Sequence, residues 1–330
     1  MSIDKERVKS IFHAFRDRSV LVIGDVMLDE YLVGHVHRIS PEAPVPVVDV
    51  TDREIRFGGA ANVALNIRAL DMNPLIIGVI GEDREGDICR DLFRKYGMKD
   101  TGLLALANRP TTLKTRIIGQ TQHIARVDRE DKSYLNEEDA VKLIGLVESL
   151  IQEADGVIIQ DYNKGVLTET VIKSTIDLAT RNNKLITVDP KFMNFKVYKS
   201  VSLFKPNIKE TEAALAMHID DEKSLVSAGE QLMDLLKPQS LLITRGPQGM
   251  SLFEQNGNMI HVPTKARKIA DVSGAGDTVI STITASLLGG ASFQEAATIA
   301  NYAAGLVCEE VGIVPVNKNK LFQACIGNYF

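Results

Sequence analysis

The chain has 330 residues, 45% of them apolar, with 24 Gly, 11 Pro, three Cys and no Trp; 38 Lys and Arg against 43 Asp and Glu leave a net charge of −5. This balance excludes collagen-like, disulfide-framed and disordered chains, and it supplies no global field for nucleic acid or anionic lipid, so an anionic substrate has to be bound locally. An odd cysteine count without C-x-x-C spacing, a charged N-terminal stretch and no apolar run of about 18 residues predict a soluble protein of a reducing, cytoplasmic compartment.

In chain order, residues 1–20 alternate charge and apolar side chains like a surface helix. Short β-rich apolar runs follow at 19–24, 75–80, 156–160, 185–188, 203–205 and 241–244 and read as buried strands. Between them, 60–70, 87–96, 137–151, 169–181 and 223–236 carry apolar residues near the helical period. This alternation predicts an α/β fold with a largely parallel sheet covered on both faces, its ligands gathered beyond the carboxyl ends of the strands. Residues 35–50 and 111–128 instead alternate apolar and polar side chains. They predict a small β-rich lid at about 33–50 and 109–129, with Pro41, Pro44 and Pro46 suited to edge strands. No repeat or long linker intervenes, so residues 1–330 are expected to form a single domain carrying this lid.

Asp271-Val-Ser-Gly-Ala-Gly-Asp277 runs into a helical pattern that Gly289 and Gly290 stop. The glycines allow a tight turn that exposes the amides of Gly274, Ala275 and Gly276, and the helix behind aims its positive end at the same spot. An Asp in a first helical turn is ordinary capping chemistry. Beside a phosphate-sized nest, the Asp277 carboxylate could also take a hydroxyl proton while the amides hold a phosphoryl group. No Gly-Lys dipeptide supports a P-loop, and no G-x-G-x-x-G follows the first strand as a nicotinamide enzyme would require. A sugar sensor without catalysis would have no use for Asp277.

These residues resemble the ribokinase-like carbohydrate kinases of the phosphofructokinase-B type. The run ending at Asp277 is similar to their D-[TV]-[TS]-G-A-G-D signature, and Gly58-Gly59-Ala-Ala-Asn62 resembles their N-terminal G-G-x-x-x-N segment. The resemblance implies a three-layer sandwich with a largely parallel central sheet and a β-rich lid. It implies Asp277 as catalytic base and Gly58, Gly59 and Asn62 at the sugar. Asn207, Ile208, Lys209 and Glu210 match the N-x-x-E motif, with Glu210 organising Mg²⁺ through water. Thr244, Gly246 and Gly249 resemble the strand end against the nucleotide, and Asn301 a helix beside the adenine. ATP and Mg²⁺ are therefore expected, with a monovalent cation near residues 271–273 in some relatives.

A narrower resemblance is to the kinase half of bacterial heptose synthesis proteins, carried by Val22-Ile-Gly-Asp25-Val-Met-Leu-Asp29 and by Arg38-Ile-Ser-Pro-Glu-Ala-Pro-Val-Pro-Val. It implies transfer of a phosphoryl group to the anomeric oxygen of D-glycero-β-D-manno-heptose 7-phosphate, in ADP-heptose and lipopolysaccharide core precursor synthesis. A sibling kinase of fructose phosphate, ribose or another sugar is the alternative. Asp25 and Asp29 are expected at sugar hydroxyls, against turn and capping roles. A phosphorylated sugar needs a fixed cation, and among Arg56, Lys114, Arg116, Arg126 and Arg129 the choice falls on Arg126. Asp161 and Lys164, past the fourth strand, are further candidates. Lys191 either reaches phosphates or pairs with Asp189. His35 and His37 have strand metal-pair spacing but no evident third ligand, so a structural role is expected. With no H-x-G-H motif in the sequence, the adenylyltransferase step is expected on a separate polypeptide, and a homodimer through the lid is expected to cover its edges.

Overall fold

The computed structural model describes residues 3–120, 122–265 and 270–327, so Thr121 of the second lid segment lies outside the described residues. Helix α1 (Lys5–His13) precedes β1 (Ser19–Gly24), and a long hairpin of β2 (Val26–Ile39) and β3 (Pro46–Gly58) leads into α2 (Gly59–Ala69). Then come β4 (Asn73–Gly81), α3 (Arg84–Lys95), β5 (Leu103–Leu106) and a second hairpin, β6 (Thr112–Gly119) and β7 (Gln122–Arg129). The next stretch runs α4 (Glu137–Leu150), β8 (Gly156–Gln160), α5 (Glu169–Arg181), β9 (Leu185–Asp189), β10 (Leu203–Phe204), α6 (Ile208–Leu215) and α7 (Glu222–Leu236). The chain closes with β11 (Ser240–Thr244), β12 (Met250–Glu254), β13 (Met259–Val262), α8 (Ala275–Leu288), α9 (Phe293–Cys308) and α10 (Lys318–Cys325).

The large sheet has the order β13-β12-β11-β10-β9-β8-β1-β4-β5, parallel except for the antiparallel edge of β11, β12 and β13. Alternate residues of β1 divide its two cores: Val20 and Val22 pack with α1, α2, α8, α9 and α10, whereas Leu21 and Ile23 pack with α4, α5 and α7. Three layers result, as the strand–helix alternation predicts. Because both faces are covered, β8 is buried at every residue. Helix α8 is buried from Asp277 to Ser286, so it shows no polar stripe. Its hydroxyls bond back into the helix instead: Ser281 Oγ donates to Asp277 O at 2.7 Å, Thr284 Oγ1 to Ile280 O at 2.7 Å and Ser286 Oγ to Thr282 O at 2.8 Å.

The small sheet has the order β3-β2-β6-β7, two antiparallel hairpins joined by a parallel β2–β6 pairing. It starts at Val26 and returns at Gly58, so it takes in more chain than the alternating stretches alone. The first six residues of β2 are all buried, which hides their alternation in the sequence. Pro46 opens the edge strand β3, while Pro41 and Pro44 lie in the turn before it. His35 and His37 stack on this sheet with ring centroids 5.6 Å apart. Among the described residues, no helix is long and apolar enough to cross a membrane.

Candidate active site

The carboxyl ends of β1, β8, β9, β10 and β11 open on one cleft, and the first turn of α8 enters it from the side. Gly274 caps that helix at φ +78, a left-handed conformation that costs glycine little. No side chain caps the α8 N-terminus, so the amides of its first turn and its positive end face the cleft. Asp277, 2% exposed, receives three hydrogen bonds there: from Asn62 Nδ2 at 2.7 Å, Tyr162 Oη at 2.8 Å and Gln160 Nε2 at 3.3 Å. Gln160 also donates to Asp189 Oδ2 at 3.1 Å, and Asp189 pairs with the buried Lys205 at 2.9 Å. Burial lifts the Asp277 carboxyl to about 7, with the nearby Asp189 charge adding to the rise and the Asn62 bond opposing it. A carboxyl poised near neutrality with one approach left open is equipped to accept a proton.

On the other side of the cleft, Asp29 is 2% exposed and forms an ion pair with Arg116 of the small sheet. Gly58 makes room for it, since a Cβ there would lie 2.1 Å from Asp29 Oδ2. Arg116 and Arg56 each stand 5.3 Å from the Tyr31 ring centroid, so two guanidinium groups flank this aromatic. The pairing Arg116↔Arg126 puts Arg126 on the same sheet face, but it is exposed and bonded to Asp128 at 2.9 Å. Lys114 meets Asp128 and Glu130, both at 3.3 Å. Arg129 turns to the opposite face and pairs with Asp83 at 2.6 Å and Glu85 at 2.8 Å.

Asp25 and Asp161, expected at the sugar, have their carboxylates on protein donors. Asp25 accepts from the backbone amides of Tyr162 at 2.7 Å, Lys164 at 3.1 Å and Val166 at 3.3 Å, clamping the loop after β8. Burial, together with the Asp161 charge, raises its carboxyl to about 6. Asp161 faces the core, held by Tyr198 Oη at 2.7 Å, Asn163 N at 2.8 Å and Asn194 Nδ2 at 3.2 Å. Lys164 pairs with Glu130 at 2.6 Å.

The residues expected at the nucleotide line two adjoining cavities that share Thr244 and Gly246. One, of about 720 Å³, includes Asn207, Ile208 and Lys209. The other, of about 190 Å³ and largely apolar, includes Gly249, Ala275, Gly276 and Asn301. Asn301 Nδ2 is bonded to Pro263 O at 2.7 Å, which fixes α9 against the end of β13. Glu210 closes a capping box with Asn207, accepting from its amide at 2.9 Å, and its other oxygen pairs with Lys191. Lys191 therefore bonds to Glu210 and lies 5.3 Å from the Tyr162 ring centroid, while Lys205 takes Asp189. Among the described residues no three His, Cys, Asp or Glu side chains are grouped to hold a metal. An ion that keeps phosphate and water ligands needs no such group of side chains. In the loop linked by resemblance to a monovalent cation, Asp271 accepts from Ser273 N at 2.9 Å and Gly312 N at 3.1 Å.

The model of the pfkB family of carbohydrate kinases matches residues 17–319. The chain belongs to this family. The family's first and last signatures meet where Asn62 touches Asp277. Bifunctional proteins HldE are similar: 41% identity over 315 residues in Geobacter metallireducens, covering 96% of this chain and 64% of that protein, and 41% over 322 residues in Trichlorobacter lovleyi, covering 98% and 66%. The chain thus spans less than two thirds of these relatives' length. Arabidopsis thaliana ribokinase complexed with ribose and ATP superposes with TM-score 0.73 at 18% identity, covering 93% of this chain and 99% of that one. Escherichia coli phosphofructokinase-2 with fructose-6-phosphate gives TM-score 0.74 at 19% identity, covering 93% and 98%, so the shared feature there is the fold.

Sequence reasoning did not single out Gln160, Tyr162 or Lys205, which the structure places around Asp277, and it ranked Arg126 ahead of Arg116. Strand alternation could have found the first two. Residues 160 and 162 leave β8 on the cleft side, and the acidic residue between them faces inward.

Proposed function

We propose that this kinase transfers the γ-phosphoryl group of ATP to the anomeric oxygen of D-glycero-β-D-manno-heptose 7-phosphate, giving the 1,7-bisphosphate and ADP. The observation that carries the phosphotransfer reading is the buried Asp277 carboxylate, held by Asn62 of the sugar-side segment at the open N-terminus of α8. Asp277 accepts the proton of the attacking hydroxyl, and the amides of Gly274, Ala275 and Gly276 hold charge on the transferring oxygens. Asp29, Gly58, Gly59 and Asn62 orient the sugar. Asn207, Ile208, Lys209, Thr244, Gly246, Gly249 and Asn301 line the nucleotide's place, and Lys191 and Lys205 add positive charge beside it. When bound, Mg²⁺ neutralises phosphate charge, with Glu210 holding it through water.

Identity to HldE proteins near 40% over most of the chain supports the heptose substrate. For the sugar phosphate, Arg116 is a stronger candidate than Arg126, because it reaches the Asp29 carboxylate from the sheet's inner face. A lid-mediated homodimer belongs to the same proposal, since Val50 and Val127 are exposed on edge strands. Sedimentation would check it, with a monomer at working concentration as the contrary result. ADP release with heptose 7-phosphate, fructose 6-phosphate and ribose, each at equal concentration, tests the substrate. The proposal requires the highest kcat/KM on heptose 7-phosphate, and a preference for either other sugar replaces it with the sibling-kinase reading.

A further inference from the structure

We propose that Tyr162 is a positioning residue that locks Asp277 with one lone pair left for the sugar hydroxyl. This rests on Asp277 being the base. A carboxylate offers about four lone-pair directions. Asn62 takes one on Oδ2, and Gln160 and Tyr162 take two on Oδ1, which leaves a single direction, on the oxygen facing the Gly58–Asn62 segment. Tyr162 is the donor that fixes this count. Burial and the Asp277 charge hold its phenol well above the ordinary range, so the hydroxyl donates at every working pH. The Gln160 amide, in contrast, is shared with Asp189.

The tyrosine is itself held. Its amide donates to Asp25 at 2.7 Å, and the Lys191 ammonium, paired with Glu210, lies over its ring. The base is thereby tied to the loop after β8 and to the helix that starts at Ile208. The groups facing Asp277 are Asn62 from α2, Gln160 at the end of β8, Tyr162 in the loop after it, Asp189 from β9 with Lys205 after β10 paired to it, and Lys191 beyond β9, paired with Glu210. Of the three hydrogen-bond donors to Asp277, Tyr162 is the one outside helix and strand.

The test is Tyr162→Phe, read by ¹³C-carboxyl NMR titration of the substrate-free protein, with the Asp277 signal assigned by its loss in Asp277→Asn. The midpoint is expected to rise by about one unit, the loss of one hydrogen bond to a charged group. The acid limb of kcat/KM should move up with it, lowering kcat/KM about tenfold near neutrality, with recovery at higher pH and an unchanged KM for ATP. An unmoved midpoint in folded Tyr162→Phe, or a loss of kcat/KM that higher pH does not restore, overturns the proposal. As a second arm, 3-fluorotyrosine replaces all seven tyrosines and strengthens the donor. It should move the midpoint down, and a midpoint that stays or rises also overturns the proposal. Absence of turnover on every sugar tried would sink the substrate reading alone, because the carboxyl titration needs no substrate.

Discussion

At the head of α8 a single carboxylate, 2% exposed, is held by two amides and a phenol that carry no charge. On the inner face of the small sheet, Arg116, Lys114 and Arg126 are held by Asp29, Asp128 and Glu130 in ion pairs that grow more exposed toward β7. The first arrangement suits chemistry: neutral donors orient Asp277 without taking its charge, and the covered sheet keeps it fixed. The second suits recognition, because fixed guanidinium and ammonium groups offer a phosphate positive charge and, from arginine, forked donors. Damage to the first region should therefore appear in kcat and damage to the second in KM.

The sharpest break of that contrast is Asp277→Asn. It should cut kcat by about two to four orders of magnitude while ATP affinity, read by equilibrium binding of a non-hydrolysable analogue, stays within about twofold. Near-normal turnover would remove Asp277 from the base role. On the small sheet, Arg116→Ala should raise KM for heptose 7-phosphate by about ten- to hundredfold, with a smaller change in kcat. A fall confined to kcat would erase the division between the regions.

Thermal unfolding sharpens the same point without substrate. Burial lifts the Asp277 carboxyl to about 7, so between about pH 4 and 7 the native state keeps a proton that the unfolded chain has released. Stability from this group consequently falls as pH rises through that window and levels off above it. The Tm of Asp277→Asn minus that of the wild type should grow by about 2–4 °C from pH 5 to 8, and a flat or falling difference would contradict the buried, protonated state. The smallest effect is assigned to Arg126→Ala, which should change KM for the sugar phosphate less than about threefold because that side chain is exposed and already bonded to Asp128. A change matching Arg116→Ala would move the phosphate site outward.

Much of the fold was legible because buried parallel strands leave uninterrupted apolar runs, as in 156–160, and amphipathic helices such as α5 leave a periodic face. Helix α8 left no such trace ahead of its Ser281–Leu288 pattern, since burial on all sides removes periodicity. The start of the small sheet was hidden for the same reason, with Val26–Tyr31 buried throughout. Within the site, glycine-rich segments announced Gly58, Gly274 and Asp277 because backbone geometry there restricts residue type. At Asp25 and Asp161 the carboxylates bond backbone amides and core donors, contacts that residue type alone does not announce.

By itself, then, the amino-acid order determined the layered α/β architecture, the kinase signatures and the glycine turns, all of which follow from local periodicity and backbone freedom. Only tertiary structure decided which cation sits with which carboxylate: Lys205 with Asp189, Lys191 with Glu210, Arg116 with Asp29. Those partners come from different strands and loops, and their pairing depends on strand order, sheet register and the side toward which each strand end turns, none of which a linear pattern encodes.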